Sequence, residues 1–220
     1  MTDQSVAFPF GMYSESEERA NRLTHACAGV LSVCGMAYLM GTVVSRHDAA
    51  RIVACALYTT SLTVVYTMST LSHCTFSPKL RALFRSLDQG FIYFLIAGSV
   101  TPLAVAYLPA MVCYTLLATM WSIAVAGFVA KVALAHQVDA VSVWVYVAMG
   151  WLPVLASKWF IEYVPGPALV LASIGGVLYT LGTLFLIFDR RIPYAHAVWH
   201  LFVIAASTFH FLTILFYVAQ

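Results

Sequence analysis

Ala168-Leu-Val-Leu-Ala-Ser-Ile-Gly-Gly-Val-Leu-Tyr-Thr-Leu-Gly-Thr-Leu-Phe-Leu-Ile-Phe188 contains no charged side chain. It lies between the breaker Pro165-Gly166-Pro167 and the polar turn Asp189-Arg190-Arg191-Ile192-Pro193. At 1.5 Å of rise per residue a helix of this length reaches about 30 Å, the thickness of a bilayer's hydrocarbon core. The run is unbroken rather than alternating with period two, so it reads as a membrane helix and not as a barrel strand. The whole chain fits that solvent. Of its 220 residues 62% are hydrophobic and 9% charged, against about 25% charged in an ordinary soluble domain.

Similar runs fall on both sides of this one. Spans are expected at about residues 23–44, 52–72, 88–107, 111–131, 141–157, 168–188 and 195–219. The expectation is an all-α, seven-transmembrane bundle, with an N-terminal segment over 1–22 and the membrane domain over 23–220. Pro102 and Pro153 lie inside spans and invite kinks. Residues 158–167 read as a loop, and a polar link with His136 and Asp139 occupies 135–140. Asp3, Glu15, Glu17 and Glu18 precede the first apolar run, which is therefore expected to be a retained helix and not a cleaved signal peptide.

Lysine and arginine placement sets the expected orientation. Arg19, Arg22, Lys79, Arg81, Arg85, Lys131, Arg190 and Arg191 fall on one side, and Arg46, Arg51 and Lys158 on the other. This puts the N-terminus in the cytoplasm and the C-terminus outside. The net charge of +2 gives no case for a nucleic-acid partner. Cys27, Cys34, Cys55, Cys74 and Cys113 form no Cys-x-x-Cys pair and read as small apolar residues.

Ionisable residues at span ends need a reason to be there. His25, His73, Asp88, His196 and His200 come from four separate stretches, yet all fall at the same end of the bundle. His196 and His200, four apart, share a helix face and can offer two imidazoles to one metal ion. His73 is a third nitrogen, with Ser69 one turn before it. Three nitrogens with an open fourth position describe a catalytic zinc, and Asp88 is placed to act as a base for its water. A nitrogen-rich four-coordinate set favours zinc over iron or manganese. Each residue alone has an ordinary reading. Asp88 is also a reasonable N-cap, Ser69 a helix-packing residue and the histidines interfacial side chains. Cys74 points about 100° from His73. His47 lies on the opposite side, and His210 lies about 15 Å along its helix from His200, too far to share the ion.

Four motifs carry a resemblance: Glu18-x-x-Asn21-x-x-x-His25; Ser69-Thr-Leu-Ser-His73 with Leu87-Asp88-Gln89-Gly90; Val147-Ala-Met-Gly-Trp151; and Arg191-Ile-Pro-Tyr-Ala-His196-Ala-Val-Trp-His200. Together they resemble the bacterial hemolysin III family, the prokaryotic branch of the progestin and adipoQ receptor superfamily. The resemblance implies seven helices, a cytoplasmic N-terminus and a place in the bacterial inner membrane. It implies zinc held by His73, His196 and His200, Asp88 near the zinc-bound water, Ser69 beside the site, and Glu18, Asn21 and His25 around it. Gln89 stands where the family often has histidine, which alters local polarity but not the ligand set. The superfamily is similar to membrane hydrolases that include alkaline ceramidases, so the expected activity is hydrolysis of a lipid-like amide or ester. The alternatives are a non-enzymatic sensor or homeostasis protein with a structural zinc, or, following the family's name, a haemolytic pore-former.

Overall fold

The computed structural model describes residues 13–133 and 143–220. The link at 135–140, with His136 and Asp139, lies outside the described residues, as do Asp3 and the rest of 1–12. The elements are α1 (Glu15–Val44), α2 (Ala49–Cys74), α3 (Pro78–Tyr107), α4 (Ala110–Ala133), α5 (Val143–Trp151), a 3-10 segment (Leu152–Ala156), α6 (Ser157–Tyr163), α7 (Gly166–Ile187) and α8 (Ala195–Tyr217). With α5, the 3-10 segment and α6 taken as one span (Val143–Tyr163), seven helical stretches are long and apolar enough to cross a membrane. No strand occurs among the described residues. This is a multi-pass integral membrane protein.

Three boundaries differ from the hydropathy reading. α3 starts at Pro78, so Lys79, Arg81 and Arg85 are helical and Asp88 sits in its third turn. Asp88 therefore caps nothing; Ser77 holds the N-cap position, with Pro78 behind it where a missing N–H is harmless. Residues 158–163 are α6 and not loop. Leu152–Ala156, which includes Pro153, tightens into a 3-10 turn between two helices. The first helix begins at Glu15, two turns before the apolar run, because Ser14 and Glu17 close a reciprocal capping box there.

α2, α3 and α8 form the interior. About half of their apolar windows is buried (50%, 56% and 44%), against 17–22% for the other spans, which face lipid. α2 packs on α1 and α3, α8 packs on α7 and α1, and α4 lies against α3. The first and last helices thus meet and close the bundle. In hydrocarbon no water competes for polar groups, so side-chain hydroxyls bond back to carbonyls of their own helix. Thr59, Ser61, Thr101 and Thr213 all do so.

Close helix approach in a membrane depends on small residues. Gly98 on α3 faces the α2 backbone, and a Cβ added there would lie 3.1 Å from Ser61 Oγ and 3.4 Å from Leu57 O. Replacing Gly98 with isoleucine is expected to separate α2 from α3 and cost about 1–3 kcal/mol. The readout is a lower melting temperature in detergent; an unchanged melt would show that the approach is not tight.

Candidate metal centre

The last turn of α2 carries His73, and the first two turns of α8 carry His196 and His200. His73 and His200 are buried and His196 is half-buried. Each offers one ring nitrogen, and these atoms lie within 4.8 Å of one another. The ring centroids are 5.2 Å (His73–His196), 5.5 Å (His73–His200) and 4.6 Å (His196–His200) apart.

The other nitrogen of each ring is already held. His73 Nδ1 lies 2.7 Å from Glu18 Oε2, and His196 Nδ1 lies 3.3 Å from Asp189 Oδ2. A carboxylate only accepts, so both histidines donate from Nδ1. His200 Nδ1 lies 3.0 Å from Thr24 Oγ1. The single hydroxyl proton of Thr24 is directed at the carbonyls of Ala20 and Asn21. Its oxygen therefore accepts from His200, which donates like the other two. With Nδ1 of each ring donating, Nε2 is the nitrogen left to offer a lone pair when the ring is neutral. Acceptors placed behind ligating imidazoles orient the ring and raise its basicity. This donor set fits a divalent cation.

The supports belong to a wider frame. Arg81 bonds the other Glu18 oxygen at 3.3 Å and reaches the Thr75 carbonyl at the end of α2. Tyr13 donates to Asp189 Oδ2 at 2.6 Å, and Glu17 accepts the backbone N–H of Tyr194. Tyr194 sits in the left-handed region (φ 59°) just before α8, so this bond pins the strained turn that aims His196. Burial opposes ionisation of Asp189, but hydrogen bonds from His196 and Tyr13 outweigh it and hold the carboxyl below its usual range. Burial, and then the bond to Asp189, pushes the Tyr13 phenol up, so Tyr13 stays a donor.

The remaining residues singled out from the sequence surround this group. His25 stacks on His200 with centroids 3.5 Å apart and 13° between planes. Nearly parallel rings cannot both aim a nitrogen at one ion, so His25 borders the set without joining it. Both of its nitrogens, both amide atoms of Asn21 and Ser69 Oγ are buried without a hydrogen-bond partner. Ser69 nevertheless lies beside the Asp88 carboxyl. Asp88, Ser69, His25, His196 and His200 line one end of a cavity of about 470 Å³. The rest of its wall is mainly apolar and reaches past Leu95, Val203 and Leu103. On one flank its lining residues Trp151, Val154 and Ile161 are also exposed, so there it meets the lipid-facing surface.

Tyr13, Thr24, Arg81 and Asp189 were not singled out from the sequence. Asp189 carried a signal, a carboxylate in the turn leading into the His196 helix. Thr24 carried none, because a threonine inside a helix ordinarily bonds only to its own backbone.

A family model described as Haemolysin-III related matches residues 13–211. The chain is 36% identical over 202 residues to Hemolysin-3 of Bacillus cereus, covering 92% of each chain. It is 34% identical over 206 residues to the Hemolysin-3 homolog of Bacillus subtilis (strain 168), covering 94% of this chain and 96% of that one. A more distant similarity, 29% over 204 residues, joins it to the Homo sapiens monocyte to macrophage differentiation factor, covering 90% and 83%.

Thr24→Val and Asp189→Ala leave the three histidine rings in place but remove acceptors behind two of them. Each is expected to weaken metal affinity roughly 10- to 100-fold. Competition with a chromogenic chelator measures this; affinities equal to wild type would mean that the Nδ1 bonds are incidental.

Proposed function

The chain belongs to the haemolysin-III related family, and from that premise we propose that it is a zinc-dependent hydrolase of the cell membrane that cleaves an amide or ester in a lipid-like substrate. The observation that carries this is the convergence of three imidazoles, two of which (His196 and His200) line a mainly apolar cavity that Asp88 also lines. Three nitrogen donors suit zinc better than magnesium or calcium, which take oxygen ligands. Bound zinc supplies Lewis acidity and lowers the pKa of water toward about 7.

The chain's own residues supply the rest. The apolar wall holds the substrate's hydrocarbon part and keeps bulk water from the polar end. Asp88 receives the proton given up by water as it attacks the carbonyl carbon, then returns it to the departing nitrogen or oxygen. The Ser69 hydroxyl, beside the Asp88 carboxyl, is available to donate to the carbonyl oxygen as negative charge grows there. The exposed flank at Trp151, Val154 and Ile161 gives a membrane lipid a route that avoids water. On the charge distribution we place the N-terminus, and with it the metal centre, on the cytoplasmic side.

A second reading is a structural zinc in a non-enzymatic sensor. It is favoured by one fact: the three histidines come from α2 and α8, so an ion shared by them would staple two interior helices.

Metal analysis of detergent-purified protein comes first. About one zinc per chain is expected, and none in His73→Ala or His200→Ala. Asp88→Asn is expected to keep its zinc and lose turnover on amide or ester lipids by roughly 100-fold or more. Zinc retained, a melting temperature that collapses on chelation, and no turnover on any such lipid would favour the structural reading. Alkaline phosphatase fused after Gln220 is expected to be active, since the C-terminus is placed outside; an inactive fusion reverses the orientation.

A further inference from the structure

The cavity has a second polar feature far from the metal centre. His210 lies on α8 ten residues beyond His200, about 15 Å along the axis, and lines the same cavity. Its Nε2 is 3.2 Å from the carbonyl oxygen of Ala172 on α7. A carbonyl only accepts, so Nε2 carries the proton. The neutral ring then has its lone pair on Nδ1, and no hydrogen bond reaches that atom among the described residues.

The ring's placement is built into the fold. A Cβ on Gly175 would lie 2.1 Å from His210 Cδ2 and 2.5 Å from Nε2, so the ring is seated in a notch that only glycine leaves open. That notch takes the Cδ2–Nε2 edge, which turns Nδ1 away from the α7 backbone. Tyr179 packs edge-on against the ring at 5.6 Å, and its hydroxyl pairs with Ser207 Oγ, 2.6 Å away. The hydroxyls of Ser99, Thr180, Thr183 and Thr213, which share the cavity wall, donate to carbonyls of their own helices. His210 thus presents an acceptor, Nδ1, that no protein donor reaches among the described residues.

We propose that His210 is a ligand subsite that accepts a hydrogen bond from a hydroxyl on the hydrocarbon chain of the bound molecule. The preferred substrates are then lipids whose chain is hydroxylated about 15 Å from the cleaved bond, on the order of a dozen chain bonds for an extended chain. This rests on the lipid-hydrolase reading, for which the released acid would leave its carboxylate at the metal centre. An apolar chain satisfies the wall but leaves Nδ1 dry and unpaired, which disfavours it against a chain that brings a donor to that depth.

The test measures binding of three free acids to the zinc-loaded protein in detergent: octadecanoate, 2-hydroxyoctadecanoate and 12-hydroxyoctadecanoate. Native mass spectrometry with direct competition reads relative affinity without any turnover. Wild type is expected to favour the 12-hydroxy acid over the other two by roughly tenfold, the worth of one buried hydrogen bond. His210→Phe, which keeps a flat ring in the Gly175 notch, is expected to erase that preference and still bind octadecanoate. Equal binding of all three acids by wild type overturns the subsite but leaves the lipid reading intact; His210 would then serve only to join α7 to α8. A preference that survives in His210→Phe also overturns it. If none of the acids binds, the subsite and the lipid reading fall together.

Discussion

The Glu18 carboxylate stands between two cationic or donor groups from different helices. One oxygen meets Arg81 near the start of α3, and the other meets His73 at the end of α2. Glu18 itself belongs to α1, so one side chain ties three helices at the same level of the bundle. A half-buried charge is best held when both of its oxygens have partners. Once it is fixed, the orientation of His73 follows. A few residues along α1, Thr24 fixes His200 in the same manner, and Tyr13 and Glu17 steady the turn that fixes His196. The geometry of the centre therefore depends on the first helix, although the three nitrogens come from the second and the last.

Around this well-bonded frame sits a group that is not bonded. Asn21, His25 and Ser69 have buried polar atoms without partners, all close to the histidines. Folded proteins leave few such atoms, and those they leave tend to mark sites of chemistry. Here the contrast is local. Every Nδ1 behind the three histidines is satisfied, whereas the neighbouring nitrogens of His25 and amide atoms of Asn21 are not. Rigid supports behind a set of available donors and acceptors are what a binding site for a polar head group requires.

Hydropathy located the seven spans well, since bilayer thickness imposes a length that composition cannot hide. It located helix ends poorly, because helices continue past the hydrocarbon. Lys79, Arg81 and Arg85 are too polar for lipid and were read as loop, but Pro78 starts a helix that carries them. For the same reason Asp88, which seemed to open a span, lies in a third turn. The histidine triad was legible because His196 and His200 share a helix face and His73 ends a span at the matching level. Thr24 and Tyr13 were hidden for another reason. Their bonds join residues up to 176 positions apart, and nothing local to Thr24 distinguishes it from threonines that bond only their own backbone. His210 was rightly set apart from the metal by distance, but its notch at Gly175 became visible only once α7 lay beside α8.

The closure of the bundle by α1 against α8 also sets an order of events during synthesis. A ribosome delivers α1 first and α8 last, so Glu18 meets His73 and Arg81 on the next two spans while Thr24 waits until five spans have been added before His200. His73 is present early but alone, and a single imidazole holds a metal ion weakly. The three-nitrogen site exists only after the whole chain has been inserted and its ends have met. A truncated or misinserted chain would therefore lack the centre altogether, which makes the competence to capture an ion a mark of completed assembly.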